Sequence, residues 1–148
     1  MVIEKEQKSI TTTNRMKCPW NYRKAFVLAC LVLEGQLENR RYLYASELAR
    51  KTGLPIRTLT CRLKQWHDWD YICRRTRERG YQYRIGRRGA QWLLLPALGF
   101  SRAGGRLRVL PIRDIFQNLL EQNREYLIYK PRLERYGVEG LVTAAVGV

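Results

Sequence analysis

Hydrophobic and polar positions change their rhythm several times along the chain, and each change marks an element. Residues 1–20 are mostly polar, with an aperiodic TTTN run and Pro19 disfavouring helix just before it, and they predict an N-terminal arm. From about Asn21 to Leu37, the residues Ala25, Phe26, Leu28, Ala29, Leu31, Val32 and Leu33 nearly encircle a helix, the pattern of a central, well-buried one. Asn39 to Tyr44 reads as a short basic connection. Ser46 is placed to cap a second helix, SELARKT, which Gly53 can end in the left-handed region. Pro55 suits the opening of a third helix that runs to about Asp68. On that helix Ile56, Leu59, Leu63 and Trp66 form one stripe, expected to face the core.

Two strand-like stretches follow, Tyr71–Thr76 and Tyr81–Ile85, joined through Gly80, which can supply the positive φ of a hairpin. A fourth helix spans about Arg88 to Leu95 and stops at Pro96. Residues 99–110 form a Gly- and Arg-rich linker. A fifth helix, about Ile112 to Tyr129, carries Ile112, Ile115, Phe116, Leu119, Leu120, Tyr126 and Leu127 at helical spacing. It can join two subunits or pack on its own domain. The closing GVEGLVTAAVGV is apolar without a period, and suits a strand, a docking tail or a frayed end. The organisation expected is an arm (1–20), a domain (21–98), a linker (99–110) and a C-terminal helix with its tail (111–148).

Charge changes this picture most. The chain of 148 residues has 28 Lys and Arg against 13 Asp and Glu, a formal net charge of +15. Residues 40–108 alone hold seventeen basic and four acidic residues, a net of +13, while 1–39 carry +2 and 109–148 are neutral. Charge concentrated this way points to a polyanionic partner, nucleic acid before an acidic membrane surface. Twenty-one of the basic residues are Arg, which forks onto phosphate and guanine. Residues 1–17 have no apolar signal core, and the longest apolar run, Ala25–Leu33, is nine residues where a span needs roughly twenty. A soluble cytoplasmic protein, nucleoid-associated or viral, is expected.

The order helix, short helix, Gly-containing turn, helix, hairpin, helix is that of a winged helix-turn-helix. Within residues 46–95 stand Glu47-Leu48-Ala49, Gly53-Leu54, then Leu59, Leu63 and Trp66, the pair Tyr71-Ile72, Tyr83 with Ile85, and Gly89. This set resembles the winged-helix regulators of the MarR, PadR and HxlR families. LTCRLKQW and a Cys18-Pro19 ahead of the first helix are closest to the HxlR kind. The resemblance covers about residues 20–95. Asp70 stands where those families usually have Gly before the wing, and Gly86 where a Thr often caps the fourth helix. The resemblance implies an α+β fold with a three-helix core, a two-stranded wing and here an added C-terminal helix. It further implies a homodimeric prokaryotic or viral regulator that binds double-stranded DNA.

Opposite the stripe of the third helix lie Arg57, Cys61, Lys64 and Gln65, with Thr58 and Thr60 beside them. Arg57 can fork onto guanine, a Thr can meet a hydroxyl acceptor or a thymine methyl, and Lys64 suits phosphate. Arg74, Arg75, Arg77 and Arg79 crowd the hairpin tip, fitting a minor groove or a backbone. Arg87 and Arg88 face the positive end of their helix, which a phosphate would relieve, or are simply exposed. His67 has no partner nucleophile or metal set, and Trp66, Trp69 and Trp92 suit a core. Cys30 and Cys73 suit apolar surroundings. Cys61 and Cys18 are expected to be exposed, either as ordinary thiols or as redox sensors. No enzyme activity, metal, cofactor or membrane contact is expected, and no effector is indicated. The alternatives are an interaction module in a larger assembly, its basic face on an acidic protein, or an RNA-binding, replication-associated role.

Overall fold

The computed structural model describes residues 20–37, 42–94, 100–103, 106–109 and 111–146. The expected arm, with Cys18, lies outside the described residues apart from Trp20. The fold is α+β. Helix α1 (Trp20–Glu34) is followed by strand β1 (Leu43–Tyr44), α2 (Ala45–Thr52) and α3 (Ile56–Asp68). Strands β2 (Ile72–Arg77) and β3 (Gly80–Ile85) and helix α4 (Arg87–Leu94) come next. A second hairpin, β4 (Phe100–Ala103) with β5 (Arg106–Val109), precedes α5 (Ile112–Gln122), a 3-10 segment (Arg124–Tyr129) and α6 (Lys130–Val146).

Helix α1 is the centre. Ala25 through Leu33 are all buried, matching their near-encircling pattern, and α2, α4, β3, α5 and α6 all pack on it. Burying side chains of this kind contributes about 1.5–3 kcal/mol each before chain entropy is counted. Strands β1, β3 and β2 form one antiparallel sheet in that order, with Leu43 opposite Tyr83 and Ile72 opposite Ile85. Leu43, Ile72, Tyr83 and Ile85 are buried and form its core face.

Several elements depart from the sequence reading for identifiable reasons. The expected basic connection before α2 holds β1, too short for an alternating pattern to register. Helix α2 begins at Ala45, so Ser46 lies inside it; Glu47 instead reaches back to accept from the Tyr44 backbone N–H at 2.9 Å. Gly53, φ 78°, ends that helix with its N–H on Ala49 O, as expected. Ile56 is 47% exposed, because the first turn of α3 projects beyond the core that Leu59, Leu63 and Trp66 enter. The expected linker contains the β4–β5 hairpin.

The fifth helix stops at Gln122. Asn123 takes extended dihedrals, and its Nδ2 donates to Leu119 O and Lys51 O, tying the ends of α5 and α2 together. The apolar stripe of α5, including Ile115, Phe116, Leu119 and Leu120, is buried within the chain. The aperiodic tail forms the second half of α6, whose rhythm is broken at Gly137, φ 72°. Leu133, Leu141 and Val142 are buried on either side of that break.

The α3–β2 junction accounts for both departures from the regulator pattern. After α3, the Asp70 N–H donates to His67 O at 3.0 Å and the Tyr71 N–H to Trp66 O at 2.9 Å. These are the two bonds of a Schellman ending, which needs a left-handed residue between them. Asp70 supplies it at φ 64°. The start of α4 then lies against the Tyr71 carbonyl. The Gly86 N–H donates to it at 3.0 Å, and a Cβ on Gly89 would come within 2.2 Å of it. A Cβ at position 86 would itself be 3.0 Å from that oxygen, so a capping Thr has little space.

Candidate nucleic-acid interface

The periodicity of α3 separates two faces. With Leu59, Leu63 and Trp66 fixed in the core, Arg57, Thr58, Thr60, Cys61 and Lys64 are exposed and Gln65 is half-buried. The one carboxylate of the helix is its last residue, Asp68, which is exposed on the same face as Arg57, Cys61 and Lys64. Arg57, Thr58, Cys61 and Gln65, joined by Arg62, line a shallow open groove of about 490 Å³. The Arg62 guanidinium donates to Gln65 Oε1 at 3.1 Å, so it is the oxygen of the Gln65 amide that this contact engages. The Thr60 hydroxyl donates to Ile56 O at 2.7 Å, so toward a ligand it offers an acceptor oxygen and its methyl.

The four arginines of the β2–β3 hairpin do not form one cluster. Side chains alternate along strands, so Arg74 lies on the same sheet face as Tyr83 and Tyr81. Its guanidinium is 4.0 Å from the Tyr81 ring centre. Arg75 and Arg77 point to the opposite face, with Gln82 and Arg84. Arg75 donates to Gln82 Oε1 at 2.9 Å and stacks 4.0 Å from the Tyr42 ring centre. Arg79, in the turn, lies 4.6 Å from the Tyr44 ring centre. All ten predicted site residues are exposed or half-buried. The groove gathers four of them, while the hairpin arginines form separate groups on two sheet faces.

Tyr42, Tyr44, Gln82 and Arg84 escaped sequence reasoning. The available signal was the alternation Tyr42-Leu43-Tyr44, with Leu43 inward, hidden because β1 is only two residues long. Lys24 was also missed. It is 7% exposed, with its ammonium 3.7 Å from the Tyr71 ring centre, 4.4 Å from that of Trp92 and 5.8 Å from that of Trp69. Burial, assisted by the nearby Arg88 charge, lowers its pKa to about 8. Trp66 is core, as expected, but Trp69 is 47% exposed and Trp92 half-buried. Arg87 and Arg88 are exposed, and Arg88 lies 5.5 Å from the Tyr71 ring centre.

The cysteines divide as well. Cys61 is exposed and Cys73 half-buried. Cys30 is buried, and its thiol is pushed up to about 12, by burial first. Its sulfur is 3.5 Å from the Tyr126 oxygen; that phenol's single proton goes to Glu34 Oε2 at 2.6 Å, so the thiol donates to the phenol. Among the described residues, no group of three or more His, Cys, Asp or Glu is arranged to hold a metal ion. No described helix is long and apolar enough to cross a membrane. No protein-family model, curated protein or solved structure matches the chain.

Proposed function

We propose that the chain is a winged helix-turn-helix protein that binds double-stranded DNA in a sequence-specific way and regulates transcription. In this reading α1, α2 and α3 are the three-helix core, α3 is the recognition helix and the β2–β3 hairpin is the wing. The observation that carries it is the exposed face of α3, where Arg57, Thr58, Thr60, Cys61, Lys64 and Gln65 stand opposite a buried stripe and the one carboxylate, Asp68, is confined to the last turn. Arg57 and Gln65 present N–H groups for base edges, Thr58 and Thr60 short polar and methyl contacts, and Lys64 a point charge for phosphate. Arg74, Arg75, Arg77 and Arg79 then hold the backbone or minor groove, and their mutual repulsion is relieved when phosphates arrive.

A two-fold dimer belongs to this reading, because half-sites on DNA are read in pairs. The stripe of α5 is already used inside the chain. The subunit contact therefore falls to the outer side of the C-terminal segment, where Leu127, Ile128 and Tyr136 are 43%, 68% and 60% exposed.

The test is titration of a duplex obtained by random-sequence selection against a scrambled duplex, over a range of salt. Contact with about six to ten phosphates per dimer gives a log–log slope of about −5 to −9, with tighter binding to the selected duplex. Sedimentation of the same samples reports the copy number. A flat salt dependence, or preference for an acidic protein over any duplex, overturns the reading.

A further inference from the structure

We propose that the outer face of the three-stranded sheet binds single-stranded nucleic acid, at a site that does not use the α3 groove and shares only its hairpin arginines with the proposed duplex contact. Tyr42, Tyr44, Arg75, Gln82 and Arg84 stand on it beside Cys73 and Arg77, with Arg79 folded onto it from the turn. The pairing fixes this grouping. Tyr44 lies opposite Gln82, Gln82 opposite Arg75, and one step beyond the paired stretch Tyr42 falls opposite Arg84. None of these side chains is fully buried, whereas the other sheet face is filled by Leu43, Ile72, Tyr83 and Ile85.

Three guanidiniums are already stacked on the two rings. Arg75 lies 4.0 Å and Arg84 5.2 Å from the Tyr42 ring centre, and Arg79 lies 4.6 Å from that of Tyr44. The hydrogen bond from Arg75 Nε to Gln82 Oε1 fixes one of them further. Arg84 Nε is buried with no hydrogen-bond partner among the described residues. A guanidinium stacked on a ring keeps its in-plane N–H groups for phosphate oxygens and its outer plane for a base.

The strands of this face contribute no carboxylate. The nearest in sequence are Glu78 at the tip, Asp70 two residues before β2, and Glu47, which accepts from the Tyr44 N–H. Charge alone would also suit duplex DNA or an acidic peptide. The planes decide between them. A duplex hides the faces of its bases and an acidic peptide has none to offer, so stacked rings and guanidiniums serve only an open strand. Alternate residues of an extended strand stand about 6.8 Å apart, twice the rise of a stacked nucleic-acid strand, so bases seated at Tyr42 and Tyr44 are unstacked from each other.

The experiment measures anisotropy of labelled probes with the full chain. The probes are oligo-dT and oligo-U of about ten nucleotides, an abasic phosphate chain of equal length and a blunt duplex. Oligo-dT or oligo-U should bind about tenfold tighter than the abasic chain, the tighter one identifying the sugar of the natural strand. A Tyr42→Leu, Arg84→Gln double variant should lose about that factor on the single strand and stay within about twofold on the blunt duplex. Arg57→Ala should stay within about twofold on single strands and lose affinity for a blunt duplex of the selected sequence. Tyr42→Phe, which keeps the ring, should bind single strands like the unaltered chain. Equal binding of abasic and base-bearing chains overturns the proposal, as does displacement by a Glu-rich peptide of matched charge. Equal loss on single strand and duplex in the double variant, with the Tyr42→Phe chain equally impaired, also overturns it. A chain that prefers oligo-dT over the abasic probe yet ignores the blunt duplex would sustain this proposal and defeat the α3 reading. A chain that binds only the duplex would do the opposite.

Discussion

Lys51 and Glu125 are 74 residues apart in the chain, and the Lys51 ammonium meets the Glu125 carboxylate at 2.6 Å. The same ammonium lies 3.2 Å from Glu34 Oε2, and that oxygen also accepts the Tyr126 hydroxyl at 2.6 Å. Helices α1 and α2 and the 3-10 segment thus share one buried charge cluster, with Glu34 and Lys51 almost wholly removed from water. Removing one member of such a pair leaves the other charge uncompensated in a low-dielectric site. Lys51→Met is expected to destabilise the fold by about 3–5 kcal/mol, read by urea titration. Lys51→Arg should recover part of that loss. A loss below about 1 kcal/mol for the Met variant would mean that water reaches Glu34.

Lys24 makes stability rise with pH on the alkaline side, where a lysine held by an ion pair would make it fall. Its pKa is about 8 in the folded chain, against 10.5 for an ordinary lysine. Below pH 8 both folded and unfolded chains carry the proton, and the cost of burying the charge is fully present. As pH rises from about 8 to 10.5 the folded chain releases its proton first, so stability increases through that window. The tyrosines Tyr83, Tyr126 and Tyr129, all raised by burial, pull the other way at the alkaline end. The difference between the natural chain and Lys24→Met isolates the lysine. That difference is expected to move in favour of the natural chain by up to about 3 kcal/mol between pH 8 and 10.5. A constant difference would place the ammonium in contact with water.

Asp70 holds a left-handed backbone, where a side chain costs about 1–2 kcal/mol and Gly costs nothing sterically. Gly's larger unfolded-state entropy offsets part of the gain. Asp70→Gly is therefore expected to raise stability by about 0.5–1 kcal/mol. Asp70→Val, β-branched, should lower it by more than the Gly variant raises it. Thermal melts of the three chains should rank Gly, Asp, Val. A Val chain as stable as the natural one would mean that the Schellman bonds at Trp66 and His67 are not maintained in solution.

Arg57 and Arg77 are both exposed, so Ala at either position should leave the melting temperature nearly unchanged. Their effects on DNA should differ in kind. Arg57→Ala is expected to weaken the selected duplex by about 1–3 kcal/mol and relax preference at one base position. Arg77→Ala should weaken selected and scrambled duplexes alike and make the salt slope shallower by about one unit. Titrating both duplexes at two salt concentrations checks this. Equal losses on the two duplexes for Arg57→Ala would remove α3 from sequence reading.

The parts of the fold legible in the sequence were those with a sustained period or a forced dihedral. Leu59, Leu63 and Trp66 recur at helical spacing, Gly53 and Gly80 take the positive φ expected of them, and Ala25–Leu33 are buried as their pattern required. What escaped depended on contacts between distant residues. Asn123 ends α5 by using its amide on Lys51 O, a partner 72 residues away. The tail from residue 137 is helical only as a continuation of α6 past the break at Gly137, anchored by Leu141 and Val142. The exposed face of α3 could be read because a helix separates its faces over four turns. The Tyr–Arg face of the sheet could not, because it draws on three strands and one of them has two residues.

The burial of α1 also has a consequence for synthesis. Cys30 leaves the ribosome 96 residues before Tyr126, which caps it in the finished core. At about 5–20 residues per second that interval lasts on the order of 5–20 s. Throughout it, the nine-residue apolar stretch Ala25–Leu33 has only part of its final cover and is a ready target for a chaperone or for another nascent chain. Slowing elongation between residues 90 and 126 prolongs that exposure and lengthens the time in which such encounters compete with folding.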